Sequence, residues 1–339
     1  MQTKPACATG GLDPDLGTPP PLLGASPEAA NPTIRVLLAT GIDPRFVPAQ
    51  SNATFAYGGK TYRGGASIVD GPGGKTALVA TLDIDAYLYG VVPLEIGRRW
   101  PSAALQAQAI VARTYALSHR LTGKAYDLVA GEGDQVWGGL AAETAESNAA
   151  VDATEGQFVT YLGGLASVFY SSSCGGHTAD ASRVWGGTKL PYLRGVADAY
   201  CMTSSPYAHW TATTTVGALL AAFGPKAAGL GPLRTIELGD PTPDERPGLR
   251  LTGADGSLLL SGAEVRGALG TRTIPSTLWH SLTLQGDAAQ AATLLRIEGS
   301  GLGHGVGLCQ WGARVMAQEG RTAREIVGFY FPGTIVTNV

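Results

Sequence analysis

The sequence predicts an α+β protein: mixed strands and helices around a central Ala-rich helix, with a smaller mostly-β subdomain inserted. Three observations carry this. "WPSAALQAQAIVARTYALSHRL", from Trp100 to Leu121, is the strongest helical segment. The apolar runs on either side are short and broken by turn residues, in a chain of 339 residues with 48 Gly and 21 Pro. From about 206 to 292, a short helix is followed by short strands that alternate with turns.

Taken in order, residues 1–31 are rich in Pro, Gly, Ala and Asp without a period, and read as a flexible leader. "TIRVLLATG" (33–41) is the first strand, and 53–65 reads as a hairpin around Gly58 and Gly59. "GKTALVATLDIDAYLYGVV" passes from strand to a short helix, with Asp85 as its N-cap. In the Ala-rich helix, Pro101 suits the first turn. Leu105, Ala109, Ala112 and Ala116 form one apolar stripe at spacings of three and four, and the small side chains predict close packing against another backbone. Residues 156–178 read as two strands joined at Gly163–Gly164, and 184–201 as a loop. "TTTVGALLAAFG" is a short helix opening the inserted subdomain. The chain returns through "GSGLGHGVGLCQWGARVMAQEG", a glycine-rich loop and a helix, then a helix ending before Pro332 and a last strand. The core is thus read as 32–205 and 293–339.

The composition narrows the function classes. A net charge of −3 supplies no basic field for nucleic acid. A weakly charged polymer such as a glycan suits a chain with only 15% charged residues. No apolar run reaches the ~20 residues of a membrane span, and no secretory hydrophobic segment is visible. A monomer is expected, and no cofactor.

Few residues stand out for chemistry. Glu95, in "YGVVPLEIGRRWP", falls between two helices among apolar neighbours. Desolvation there would raise its pKa and suit it to general-acid work. Arg113 lies in the Ala-rich helix, where close packing demands a carboxylate partner or a substrate. Gln106, seven residues earlier, shares its face, so both would meet Glu95 if the helix folds back on its entry loop. His177 in "CGGHT" and His304 in "GLGHGVG" are each framed by glycine. Cys174 and Cys201 are compatible with a disulfide or free thiols. With His177 they also form a weak zinc pattern, and a Cys nucleophile beside either histidine is a further reading. No metal is expected on balance.

Several stretches in order resemble the SpoIID/LytB family of peptidoglycan-remodelling proteins. They are "LDIDAYLYGVVPLEIGRRWPSAALQAQAIVARTYAL", "QVWGG", "SSSCGGHTADASRVWGG", "PYLRGVADAYC", "LSGAEVRGALG" and the glycine-rich segment with "IVGFYFPGT". The resemblance spans roughly 33–336. It implies an extracytoplasmic lytic transglycosylase that cleaves the bond between N-acetylmuramic acid and N-acetylglucosamine in peptide-stripped strands. Glu95 and Arg113 match the family's catalytic positions. Gln106, Ser173, His177, His304 and Gln310 are then expected to bind the sugar, the glycines letting backbone approach the ring. The recurrence of the "CGG … YC" pair in some members supports a Cys174–Cys201 link. Family members often carry Lys or Arg where this chain has His177, so a basic contact there is lost or becomes pH-dependent. The alternative implied by LytB-type relatives is a non-catalytic wall-binding enhancer of an N-acetylmuramoyl-L-alanine amidase, its partner. A zinc- or Cys-dependent peptidase is the third reading.

Overall fold

The computed structural model describes residues 31–51, 53–131, 133–239 and 246–339. The leader, Cys7 included, lies outside the described residues except for Asn31. The chain forms two compact units, one from the N-terminal part to Phe169 plus Met316–Val339, the other Tyr170–Val315.

The first unit opens with β1 (Thr33–Thr40), the hairpin β2 (Thr54–Tyr57) and β3 (Lys60–Arg63), then β4 (Gly65–Asp70) and β5 (Thr76–Asp83). There follow α1 (Ile84–Glu95), α2 (Ser102–Ser118), β6 (Leu128–Val129), α3 (Ala145–Asp152), β7 (Gln157–Tyr161) and β8 (Gly164–Leu165). β1 and β5 pair antiparallel along their whole length, with β4 and β6 outside them in the order β4-β5-β1-β6. Alternation in β1 puts Ile34 and Val36 inside at 0% exposure. α2 is the central helix that the sequence predicts: it packs on α1, α3 and β7. Leu105, Ala109, Ala112 and Ala116 are all buried. Small side chains let those neighbours approach closely, which is why an alanine stripe serves here.

The second unit contains β9 (Tyr170–Ser171), α4 (Ala181–Trp185), α5 (Ala199–Ser204), β10 (Trp210–Thr215), α6 (Val216–Phe223) and α7 (Pro225–Ala228). It continues with β11 (Leu233–Leu238), β12 (Leu249–Gly253), β13 (Ser257–Leu260), α8 (Gly262–Leu269), β14 (Leu278–Gln285), β15 (Leu294–Ser300) and β16 (Leu308–Cys309). Two three-stranded sheets, β10-β15-β14 and β11-β12-β13, enclose a core that includes Leu219, Leu249, Leu251, Val265, Ile274, Trp279 and Leu295. β16 pairs parallel with β9.

Helix α9 (Gln310–Gln318) follows the glycine-rich segment, and α10 (Ala323–Tyr330) ends before Pro332, as the sequence predicts. Thr322 caps α10 in a reciprocal capping box with Glu325. The last strand, β17 (Ile335–Asn338), pairs antiparallel with β7 and completes the sheet β17-β7-β8, while α10 packs on α2.

Candidate active site

Two sequence expectations about α1 change. Its N-cap is Asp83, whose extended backbone ends β5. Asp85 lies inside the first turn and does other work: its carboxylate takes the Arg113 Nε at 2.8 Å and Nη2 at 2.7 Å. The helix also runs through Pro93, so Glu95 is its last residue rather than part of a free junction.

Arg113 is fully buried. Beyond Asp85 it donates from Nη2 to the Val151 carbonyl at 3.1 Å, and from Nη1 to Thr154 Oγ1 and the Gln157 carbonyl, both at 3.4 Å. The guanidinium thus ties α2 to the start of α1 and to the segment from α3 into β7. The expected meeting of Arg113 with Glu95 is therefore replaced by one with Asp85, ten residues and about 15 Å of helix away. Burial pushes the Asp85 pKa up and the Arg113 pKa down, and each charge offsets much of the other's penalty. Gln106 is half-buried on α2 and donates Nε2 to Ser102 Oγ at 3.2 Å.

Glu95 is 1% exposed. Its Oε1 accepts the Val136 N–H at 2.9 Å. That N–H is placed by the "QVWGG" segment, which threads between two helices. Gln135 Nε2 donates to the Ala112 carbonyl of α2, and Gly138 N–H donates to the Gly90 carbonyl of α1. Trp137 lies so close over Gly90 that a Cβ there would stand 2.6 Å from the indole nitrogen. The Tyr87 and Tyr115 phenols are pushed well above their ordinary pKa, first by burial and then by the nearby Asp134 and Glu95 carboxylates. Asp134 is occupied locally: Oδ1 accepts Tyr115 OH at 3.1 Å, and Oδ2 accepts the Val129 N–H at 2.7 Å. Sequence reasoning missed Asp85, Asp134, Gln135 and Val136. The "QVWGG" stretch was the one available signal.

The second unit answers differently to the expectations for its residues. Gly301 adopts φ +88°, and a Cβ there would stand 2.7 Å from the Ser173 carbonyl oxygen. Gly305, at φ +75°, leaves room for the Arg246 guanidinium, which donates to the His177 carbonyl at 2.8 Å and the Cys174 carbonyl at 3.2 Å. Gly301 and Gly305 thus admit protein groups. His304 Nδ1 accepts the Val306 N–H at 3.0 Å, and the ring's other nitrogen donates to the Tyr170 carbonyl. Both nitrogens are therefore spent inside the unit, and burial brings the His304 pKa down to about 3. Ser173 is buried, with its hydroxyl 2.8 Å from Ser205 Oγ and 3.1 Å from Cys201 Sγ. Gln310 is buried at the start of α9. His177 keeps partial exposure, with Nδ1 bonded to the Thr178 carbonyl at 2.8 Å. A cavity of about 410 Å³ in this unit is lined by Arg183, Arg246, Arg250 and Glu264 among others, and by none of the sequence-predicted residues.

Cys174, Cys201 and Cys309 are buried free thiols, so the Cys174–Cys201 link is not formed. Burial pushes the Cys174 and Cys309 thiols up. The neighbouring Cys174 and Cys309 thiols, and then the Ser173 hydroxyl and Gly175 amide, hold the Cys201 thiol below its ordinary pKa against burial.

Fold and site together define a mixed α+β protein with one carboxyl sealed at a helix end. The family described as stage II sporulation protein matches residues 72–161, which include Glu95, Gln106 and Arg113. An uncharacterised protein of Brachyspira hyodysenteriae is 31% identical over 267 residues, covering 77% of this chain and 68% of the relative. The stage II sporulation protein D of Bacillus subtilis is 28% identical over 277 residues, 76% of each chain. The Bacillus subtilis amidase enhancer is 28% identical over 300 residues, 74% of this chain but 40% of that protein. The chain belongs to the SpoIID/LytB family. Among the described residues, no helix is long and apolar enough to cross a membrane.

Proposed function

We propose that this chain is an extracytoplasmic lytic transglycosylase acting on peptide-stripped peptidoglycan strands, with Glu95 as its single acid/base. The observation that carries the reading is the Glu95 carboxyl: buried, at the C-terminal end of α1, gripped on one oxygen by Val136 N–H, within the family-matched segment. The first step needs this carboxyl in its protonated form. Glu95 gives its proton to the glycosidic oxygen as the bond from the muramic acid C1 breaks. The muramic acid 6-hydroxyl then attacks C1, and its proton returns to Glu95, leaving a 1,6-anhydro ring. The acid is regenerated and no water enters. Two-carboxylate hydrolysis is the usual alternative. Asp134, a half-buried acid near the same phenols, is committed to Tyr115 and Val129.

The other residues take graded roles. Arg113 positions α1 through Asp85 and does not touch the sugar. Gln106 and His177 are the partly exposed candidates for sugar contact. Ser173, His304 and Gln310 shape the loops of their own unit.

A second reading rests on the same number. Glu95 at 1% exposure is out of reach of a polymer unless its cover opens. A protein that binds the wall and enhances an amidase needs no such opening, and one relative carries the name amidase enhancer. Mass spectrometry of soluble products from denuded strands separates the readings, with wild type and Glu95→Gln side by side. Anhydro-muramic products from wild type, reduced about 10²–10⁴-fold in the variant, are expected. Reducing-end products would mean a hydrolase. No products from either protein, with strands bound and an added amidase stimulated by both, would establish the enhancer.

A further inference from the structure

We propose that Cys174, Asp198, Cys201 and Cys309 form a structural zinc site within the second unit. One ligand atom from each lies within 4.8 Å of all the others, and all four side chains are buried. Zinc takes sulfur at about 2.3 Å and carboxylate oxygen at about 2.0–2.2 Å, so a tetrahedral site needs sulfurs about 3.8 Å apart. Small side-chain adjustments therefore suffice to close the four donors on one ion. Three thiolates and one carboxylate select zinc over magnesium or calcium, which prefer all-oxygen shells.

The four residues come from three places in the chain, and hydrogen bonds among them and from Ser173 and Gly312 hold them in place. Asp198 is the N-cap of α5 and Cys201 lies in its first turn, so the spacing puts both side chains at one helix end. The cap bond itself, Cys201 N–H to Asp198 Oδ1 at 3.1 Å, fixes the carboxylate and leaves Oδ2 at 3.2 Å from the Cys174 sulfur. Cys309 Sγ accepts N–H bonds from Cys174 at 3.2 Å and Gly312 at 3.4 Å. Ser173 Oγ stands 3.1 Å from Cys201 Sγ. Donors aimed at sulfur are what orients and stabilises thiolate ligands around a metal. The donor set is closed, with four protein ligands and no open position, so the ion's work is to clamp. It fastens the turn after β9, the start of α5 and the end of the glycine-rich segment. The zinc pattern read from the sequence named His177, but that ring is bonded to Thr178 and lies outside the cluster. Cys309 and Asp198 complete it instead.

The test uses the full chain purified under air without chelator or added metal. Elemental mass spectrometry is expected to find about one zinc per chain, and intact-mass alkylation after denaturation in chelator should find Cys174, Cys201 and Cys309 reduced. Exchange to cobalt(II) should give a tetrahedral spectrum with a sulfur-to-cobalt charge-transfer band. That band is expected to weaken in Cys201→Ser, shift in Asp198→Asn and persist in Cys7→Ser. A metal-free chain carrying a disulfide between any two of the three thiols would overturn the proposal. So would three reduced thiols that take up neither zinc nor cobalt. Should Cys201→Ser fail to fold, the wild-type metal content and the cobalt spectrum still decide.

Discussion

The two units bury polar groups by opposite means. The first puts a full ion pair in its interior, Arg113 on Asp85, and spends each remaining guanidinium hydrogen on α3 or the residues just after it. The second gathers three thiols and a carboxylate at one point. A buried charge is tolerable when its counter-charge comes from the same chain. A cluster of like-tempered ligands calls for a counter-charge from outside. The comparison teaches that the first unit closes its buried charge within the polypeptide, whereas the second brings together donors that the proposed ion would close.

The strongest way to break this comparison is to remove one side of the ion pair. Asp85→Ala should destabilise by about 3–5 kcal/mol in urea titration, because Arg113 is left charged and buried. The double variant Asp85→Leu/Arg113→Met should recover most of that loss. A double variant as unstable as the single would mean that the contacts to Val151 and Thr154 outweigh the pair itself.

A pH titration sharpens the contrast next. His119 packs between Tyr115 and Phe169, and burial brings its pKa from 6.5 down to about 4. A base depressed in the folded state binds more protons when unfolded, so stability is full above pH 6.5 and falls as pH drops toward 4. The loss amounts to about 3 kcal/mol. His119→Phe should flatten that limb of the stability curve. His304 acts in the same direction within the second unit, and chelator should leave the His119 limb unchanged while increasing amide exchange around Cys174, Cys201 and Cys309.

Smaller effects test local geometry. Gly301→Ala must hold a left-handed φ and push on the Ser173 carbonyl, and about 1–3 kcal/mol of destabilisation is expected by thermal melting. Thr144→Ala removes the side-chain bond to Ser147 N–H that caps α3, and should cost about 1 kcal/mol in the same assay.

What the sequence made legible follows from range. The alanine stripe of α2, the hairpin at Gly58–Gly59 and the stop before Pro332 are local patterns, and they appear as read. Glu95 stood out because its apolar neighbours, Val91, Val92, Leu94 and Ile96, adjoin it in the chain. Asp85 was misread as a cap because its true partner lies 28 residues on, and no spacing rule reports an ion pair between two helices. Cys309 and Cys174 are 135 positions apart and meet through long-range pairing, that of β16 with β9 and of Ser173 with Leu302. The glycines around His304 signalled close approach correctly but could not say what approaches.

The return of the chain through α10 and β17 sets an order of events during synthesis. β7 finds its partner only when Ile335–Asn338 emerge, and α2 receives α10 only shortly before. At the ribosome, the second unit has all its strands in hand first. The unit that begins the chain is the last to close, and until then it offers the open edge of β7 to any passing strand.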